Sequence, residues 1–331
     1  MTKAVDAVAS SPAALSPSAR PAVEAAASPW PTVGVVVPTR NRPELLRGSL
    51  AAIWDQDYPG WIDVIVVFDG EEPDPSLCRE APKRRIRVVA NGRTPGLAGA
   101  RNTGIEGLST ELVAFCDDDD LWSSGKLTSQ ARRLRAEPAA EMLTCGIVVS
   151  YDGRQSPRLA GRDLIHYQEL LPSRLSMLHS STFVLRRTAL LDGIGLLDET
   201  IPGSQNEDWD LLLRASRRHP IRHVDEPLVR VLWGQSSYFS QQWQTRISSL
   251  LWMLRRHPDI AADSVGAARV YGQLAFGYAV LGERRRSLLW AVRSLRRRWT
   301  EPRGVLALAV AVRLLPAGAI VAALHRRGHG I

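Results

Sequence analysis

Four consecutive aspartates, Asp117 to Asp120, follow the apolar run Leu112-Val113-Ala114-Phe115-Cys116. Adjacent carboxylates repel one another, so a block of them at the end of a buried segment calls for a compensating positive charge. A divalent cation meets that need: Mg²⁺ or Mn²⁺ prefers oxygen ligands, takes one or two protein carboxylates and leaves its other positions to water and substrate phosphates. A solvated acidic loop is the plainer alternative. The setting after a strand-like run favours a ligand site, because open α/β sheets bind ligands beyond the carboxyl ends of their strands. A second acidic group lies in Gly203-Ser204-Gln205-Asn206-Glu207-Asp208-Trp209-Asp210, just before the helical run Leu211-Leu212-Leu213-Arg214. Asn206 reads as an N-cap with Glu207 and Asp208 in the first turn, where the helix dipole favours ionised carboxylates. That pattern serves either as simple capping or as a placed catalytic pair.

The elements that must position these groups alternate. Thr32 to Val37 is a β-branched run stopped by Pro38, a strand buried on both faces, and Asn41 to Pro43 open a helix. Ile62 to Phe68 is a second strand ending at Asp69-Gly70, and Ile86 to Ala90 a third. The glycine-rich Gly92 to Gly104 segment leads into a helix, and a fourth strand delivers the aspartates. Strand and helix in alternation predict a parallel, doubly wound sheet, whose post-strand residues Thr39, Arg40, Asp69 and Asn91 share an edge with the aspartates. From Met142 the pattern is mixed, with strand-like Met142 to Tyr151, Ser181 to Leu185 and His223 to Trp233.

Beyond about Ser237 the chain reads as helical. Leu288, Val292, Leu295 and Trp299 form an apolar stripe, with Arg284, Arg285, Arg286, Arg293, Arg296 and Arg297 on a basic face. Val305 to Leu324 is apolar but for Arg313 and Pro316. A mid-membrane Arg costs roughly 2.5 to 3.5 kcal/mol, which sets a helical cap on the domain and a membrane-surface element against a true span.

The 331 residues are 45% hydrophobic and 23% charged, ordinary for a soluble globular protein. Net charge is +8, and only Lys3, Lys83 and Lys126 are lysines. Arginine favours phosphate contacts, and its C-terminal excess points to an anionic membrane surface, not to nucleic acid, for which the chain carries no motif. Cys78, Cys116 and Cys145 show neither zinc spacing nor an even disulfide count, which suits a reducing cytoplasm. Residues 1 to 29, rich in Ala, Ser and Pro, read as a disordered leader. The expected division is therefore a leader, 1–29; an α/β domain, 30–236; and a helical region, 237–331.

Five blocks together resemble the inverting glycosyltransferases of family 2: Val35 to Arg42, Val66 to Gly70, Gly96 to Gly104, Phe115 to Trp122 and Glu207 to Leu211. The resemblance implies a GT-A (Rossmann-like) fold, a mostly parallel sheet flanked by helices with a C-terminal helical extension. It implies that Pro38, Thr39, Arg40 and Asp69 sit at the donor, with Asp69 reading the nucleobase, Arg101 holding the nucleotide and Asp118 near the ribose. Asp117 to Asp119 match the Asp-x-Asp motif, so Asp117 and Asp119 would hold Mn²⁺ or Mg²⁺ at the donor diphosphate. Asp208 matches the catalytic base, with Glu207 and Trp209 at the acceptor pocket. The implied reaction moves a sugar from a UDP- or dTDP-type donor to a glycan, lipid-linked or small-molecule acceptor, in the cytoplasm or on the inner face of the membrane.

The chemistry agrees with that assignment. Inverting transfer is one in-line displacement, needing a base on the acceptor hydroxyl and an electrophile on the leaving diphosphate. A retaining double displacement needs a second carboxylate nucleophile, and no separate candidate is present. Two departures stand out: Phe68-Asp69-Gly70-Glu71 replaces the family's Asp-Asp-Gly-Ser, and Trp233 to Ser237 lies where some relatives carry a basic motif. His166, His179 and His223 could reach the site or serve as structural histidines. Two other readings are a sugar-1-phosphate nucleotidyltransferase and a non-enzymatic basic membrane-binding protein. The first would carry a glycine-rich loop after the first strand, unlike Pro38-Thr39-Arg40-Asn41.

Overall fold

The computed structural model describes residues 29–151, 153–233, 242–316, 318 and 320. The expected leader, all but its last residue, lies outside the described residues, as do 234–241 and the end of the apolar C-terminal run. In chain order the elements are β1 (Val33–Thr39), α1 (Pro43–Trp54), β2 (Ile62–Phe68), β3 (Arg79–Ala81), β4 (Arg84–Ala90), α2 (Leu97–Gly107), β5 (Leu112–Phe115), β6 (Leu121–Trp122), α3 (Lys126–Ala136) and β7 (Met142–Tyr151). There follow β8 (Arg154–Arg158), β9 (Leu164–Ile165), α4 (Tyr167–Leu170), β10 (Val184–Arg186), α5 (Arg187–Ala189), α6 (Glu207–Arg218) and β11 (Ile221–Leu232). The C-terminal helices are α7 (Trp243–Arg256), α8 (Pro258–Ala262), α9 (Ser264–Val280), α10 (Arg284–Arg297) and α11 (Pro302–Ala311).

One mixed sheet runs β3-β4-β2-β1-β5-β10-β7-β11-β6. β3 is an antiparallel edge strand on β4, and β4-β2-β1-β5 is parallel: β1 pairs with β2 in the register Val35↔Val64, and with β5 in the register Val35↔Ala114. β10 then runs antiparallel between β5 and β7, and β11 lies parallel to β7. Since β1, β2 and β5 point the same way, Thr39, Asp69 and Asp117 emerge at one edge. The short strands β3, β6, β8 and β9 had no expectation from sequence, being two to five residues long with little apolar alternation.

Alternate residues of the central strands feed two cores, as the period of two requires. Val35, Val64 and Ala114 face α1 and α3 through Leu50 and Leu127. Val36, Ile65 and Val113 face the other side, in one cluster with Leu211 of α6 and with Ile247, Leu250, Met253, Val270 and Leu274 of α7 and α9. Each such buried side chain is worth about 1.5 to 3 kcal/mol, so these C-terminal helices share the core of the α/β layers.

The expected apolar stripe of α10 does not face inward. The helix buries Ser287, Ala291 and Ser294, with Ser294 Oγ donating to the Ala268 carbonyl at 2.7 Å. Ala291 clusters with Ala275 of α9, and helices meeting on such small residues leave no room for leucine between them. Leu288, Val292 and Trp299 are therefore exposed. Among the described residues no helix is long and apolar enough to cross a membrane; α11 ends at Ala311, and Arg313 adopts a left-handed turn (φ 65°).

Lys126, at the start of α3, is completely buried, 3.8 Å from the Trp122 ring centroid and without a hydrogen-bond partner for Nζ. Burial pulls its pKa from 10.5 to about 8. The folded state thus pays for the proton fully below pH 8, and stability recovers as pH rises from 8 to 10.5. Lys126→Met should stabilise the protein at pH 7 by about 3 kcal/mol, with the gain gone above pH 10.5. Urea denaturation across that range checks this; a less stable variant at pH 7 would refute it.

Candidate active site

The donor edge is built by loops that reach back to Asp69. Its buried carboxylate accepts from Asn91 Nδ2 at 2.8 Å and from the Gly96 N–H at 3.0 and 3.1 Å, with Arg40 Nη1 at 3.7 Å. Gly96 has φ +123°, which only glycine adopts readily, and a Cβ on Gly99 would stand 1.9 Å from the Thr94 carbonyl oxygen. The glycine-rich segment is thus a means of aiming an N–H at Asp69. At the end of β1, Thr39 Oγ1 donates to Asp118 at 2.8 Å, while Arg42 Nη1 reaches Asp118 at 3.3 Å and Asp119 at 2.8 Å.

The four aspartates have separate partners. Asp117 accepts from Arg101 Nη2 at 2.5 Å and from Ser180 Oγ at 3.1 Å. Burial opposes its ionisation, but Arg101 and His179 outweigh burial and hold its pKa low. Asp120 accepts from Ser181 Oγ at 2.5 Å and faces His179 Nδ1 at 3.2 Å. Burial would neutralise His179, yet Asp120 and Asp117 push it up to about 9, so it is a cation at neutral pH. Asp119 has only Arg42; burial, Asp120 and Asp117 push its carboxyl up to about 7.

The second carboxylate group enters on a constrained segment. Gly203, Ser204 and Asn206 all have left-handed φ (60°, 52° and 70°), a conformation that costs a serine or asparagine free energy. Ser204 Oγ accepts from the Ala98 N–H at 3.1 Å, tying this segment to α2. Ser249 of α7 donates to the Gln205 carbonyl and accepts from Asn206 Nδ2 at 2.8 Å. Asn206 thus stands at the N-cap position expected, with Glu207 and Asp208 in the first turn, but its side chain is turned to α7 and makes no cap bond. Glu207 accepts from Arg101 Nη1 at 2.5 Å, and burial with the neighbouring Asp208 raises its pKa to about 7. Asp208, 5% exposed, pairs with Arg174.

Arg101, 1% exposed over the Phe115 ring, thus spans from Asp117 at the end of β5 to Glu207 at the start of α6. Thr39 and Arg42 hold Asp118 and Asp119, and Arg101 joins Asp117 to Glu207, the neighbour of Asp208. Residues 34–193 match the profile of glycosyl transferase family 2. The UDP-Glc:alpha-D-GlcNAc-diphosphoundecaprenol beta-1,3-glucosyltransferase WfgD of Escherichia coli is 31% identical over 256 residues, covering 76% of this chain and 93% of that protein. The chain belongs to glycosyltransferase family 2. Another relative, a GalNAc(5)-diNAcBac-PP-undecaprenol beta-1,3-glucosyltransferase of Campylobacter jejuni, is 30% identical over 138 residues, 40% of this chain and 44% of that protein. Among solved structures, S. aureus TarS 1-349 in complex with UDP-GlcNAc shares the fold with a TM-score of 0.57 at 18% identity, covering 90% of this chain and 92% of that one. An enzyme of this family excludes both the nucleotidyltransferase and the non-enzymatic readings.

Arg101, expected to help hold the nucleotide, is 1% exposed and bonds Asp117 and Glu207 through its two terminal nitrogens. Trp209 is a core residue whose Nε1 donates to the Leu170 carbonyl at 2.9 Å, leaving no ring face for an acceptor. His223 is buried against Thr144 at 2.9 Å, and His166 forms a capping box with Glu169 at α4; both are structural. His179 does enter the aspartate cluster. The loop beginning at Trp233 lies, after that residue, outside the described residues.

Ligand atoms of Asp117, Asp120 and His179 lie within 4.8 Å of one another, a different set from the expected Asp117 and Asp119. In the protein Asp120 accepts from Ser181 Oγ and faces His179, while Asp117 accepts from Arg101 and Ser180. Asp119, crowded by carboxylates and only partly neutralised by Arg42, has the unmet demand for positive charge that suits a hard cation with oxygen ligands. Sequence reasoning missed Arg42 and Arg174 as site residues. Arg42 stands within a matched block; Arg174 comes from a loop with no pattern to read.

Proposed function

We propose that this enzyme transfers a sugar, with inversion, from a UDP- or dTDP-type donor to a hydroxyl of a lipid-diphosphate-linked glycan. The observation that carries this reading is the bridge by which Arg101 joins Asp117, in the aspartate block after β5, to Glu207, the neighbour of Asp208 at the start of α6. The acceptor class is supported by the diphosphoundecaprenol substrates named for the two relatives. Asp69 accepts from a base N–H, and Asp118 faces the ribose. As the acceptor oxygen bonds to the anomeric carbon, the bond to the diphosphate breaks and the hydroxyl proton passes to Asp208. Asp119, with Asp117 behind it, would hold Mg²⁺ or Mn²⁺, which supplies charge neutralisation at the leaving diphosphate.

A thermal-shift and hydrolysis screen of nucleotide sugars with Mn²⁺ tests donor class, and a protein that answers to none loses this reading. Asp119→Ala should weaken Mn²⁺-dependent UDP binding by about tenfold or more, at least 1.4 kcal/mol, in calorimetry with and without the metal. Equal affinities under both conditions would dismiss Asp119 as a ligand.

The helical region after residue 236 is read as the membrane-facing part. Trp299 (81% exposed) follows Arg296, Arg297 and Arg298 in the chain, and Leu314 (76%) is exposed after α11; exposed apolar groups with adjacent cations suit the headgroup layer of an anionic leaflet on the cytoplasmic side. Trp299→Ala with Leu314→Ser should cut co-sedimentation with phosphatidylglycerol vesicles several-fold. Unchanged partition would remove this surface from the proposal.

A further inference from the structure

From Asp210 onward α6 is fixed by its own contacts: Asp210, fully buried, accepts from Arg214 Nε at 2.8 Å and meets His257 Nε2 at 2.8 Å. The turn that carries Asp208 takes its direction from the segment before it, which passes through the left-handed region at Gly203, Ser204 and Asn206. A serine or an asparagine persists in that conformation only where its surroundings hold it there. One face of α7 does much of the holding. Thr245, Ser249 and Trp252 are spaced by four and then three residues, a single stripe of that helix. Trp252 Nε1 donates to Thr200 Oγ1 at 3.3 Å, and a Cβ on Gly203 would stand 2.4 Å from Thr245 Cγ2. Ser249 lies between these two contacts and is completely buried. Its one oxygen donates to the Gln205 carbonyl and accepts from Asn206 Nδ2 at 2.8 Å, so it grips the two residues that precede Glu207 and Asp208.

We propose that Ser249 is a positioning residue for the transfer: its hydroxyl fixes the left-handed Asn206 and, through that residue, the direction in which the first turn of α6 presents the Asp208 carboxylate. This inference rests on the reading of Asp208 as the base, and it makes α7 part of the apparatus that aims the base. Asp208 follows Asn206 by two residues, so a change in the Asn206 backbone swings its carboxylate. A misplacement of about 1 Å at a reacting group costs on the order of 10²-fold in rate. Removal of the Ser249 hydroxyl strands the Gln205 carbonyl and the Asn206 amide in a buried place, and both find new partners only if the segment turns. Asp69, Asp118 and Asp119 are held by Asn91, Gly96, Thr39 and Arg42, none of which Ser249 bonds, so the loss falls on the chemical step and not on the donor.

The test uses the full chain with Mn²⁺ and follows UDP-glucose hydrolysis, UDP affinity by calorimetry and amide hydrogen exchange across residues 203–210. Ser249→Ala is expected to lower kcat by about tenfold or more, with UDP affinity within about twofold of the parent and exchange at 204–208 faster by about tenfold. Asn206→Gly/Ser249→Ala gives the discriminating result. Glycine enters the left-handed region without steric cost and carries no amide to strand, so the double variant should turn over about threefold faster than Ser249→Ala, or better. A hydroxyl with a merely structural role would lower stability and leave kcat of the folded enzyme unchanged. That result overturns the proposal, as does a double variant no faster than the single one. If Ser249→Ala does not fold, Ser249→Cys, which keeps the shape and has only a weak S–H donor, is read against the same outcomes. Asp208→Asn in the same assay separates the two readings: parent-like hydrolysis removes the base, while exchange at 204–208 still decides whether Ser249 holds the turn. Should the parent not turn over UDP-glucose, exchange alone decides: acceleration confined to 203–208 and reversed in the double variant supports the proposal, and unchanged exchange ends it.

Discussion

Asp208→Asn is expected to lower the transfer rate by about 10² to 10⁴-fold, with UDP affinity within about twofold of the parent. The substitution keeps the shape of the side chain and its N–H contact with the Trp209 backbone, which Asp208 Oδ1 accepts at 2.7 Å. It removes the charge that pairs with Arg174 and the basic oxygen that receives the acceptor proton. With the donor held at Asp69, Asp118 and Asp119 as proposed, the loss should fall on kcat with little change in donor KM. Glu207→Gln provides the contrast: its carboxylate is turned to Arg101, so that variant should suffer through stability and alignment, not through loss of the proton acceptor. Turnover of Asp208→Asn within tenfold of the parent would take Asp208 out of the mechanism.

The parts of this enzyme legible in sequence are those fixed by local repetition. The β-branched runs of β1 and β2 can only be strands buried on both faces, and β7 was bounded to the residue because its apolar run is long and ends at polar Asp152 and Gly153. Placing Asp69, the aspartates and Asp208 at one edge followed from parallel topology and from matched blocks. What escaped was set by tertiary competition. Asn206 has the composition of a cap, but Ser249, distant in sequence, claims its amide. Arg101 and Trp209 lie in matched blocks, and only burial shows that one braces carboxylates and the other anchors the core. Which face α10 buries was not legible, because it is the face of Ser287, Ala291 and Ser294, small residues that carry little hydrophobic signal. Arg174 was invisible since nothing in a loop sequence tells which carboxylate it will meet.

Arg101→Leu should destabilise the fold by about 3 to 5 kcal/mol at pH 8, the range for breaking a buried ion network by removing one partner. Two carboxylates, the buried Glu207 and the partly exposed Asp117, would be left without their shared cation. Glu207 shows which way the response runs: even beside Arg101 its carboxyl is raised from 4.5 to about 7. A carboxyl raised in the folded state costs nothing below its unfolded pKa, where both states are protonated. The cost grows as pH climbs from 4.5, because the unfolded chain ionises first, and it levels off above the folded pKa. Without Arg101 that folded pKa rises further, so the deficit of the variant should shrink toward pH 4.5 and widen toward pH 8. Arg101→Leu with Glu207→Leu should recover part of the loss at pH 8, since one stranded charge is then gone and the replaced pair packs as hydrocarbon. Urea denaturation of the parent and both variants at pH 5 and pH 8 measures all of this. A deficit below about 1 kcal/mol at pH 8, or one that does not change with pH, would mean that Arg101 is not the brace between the donor edge and the base.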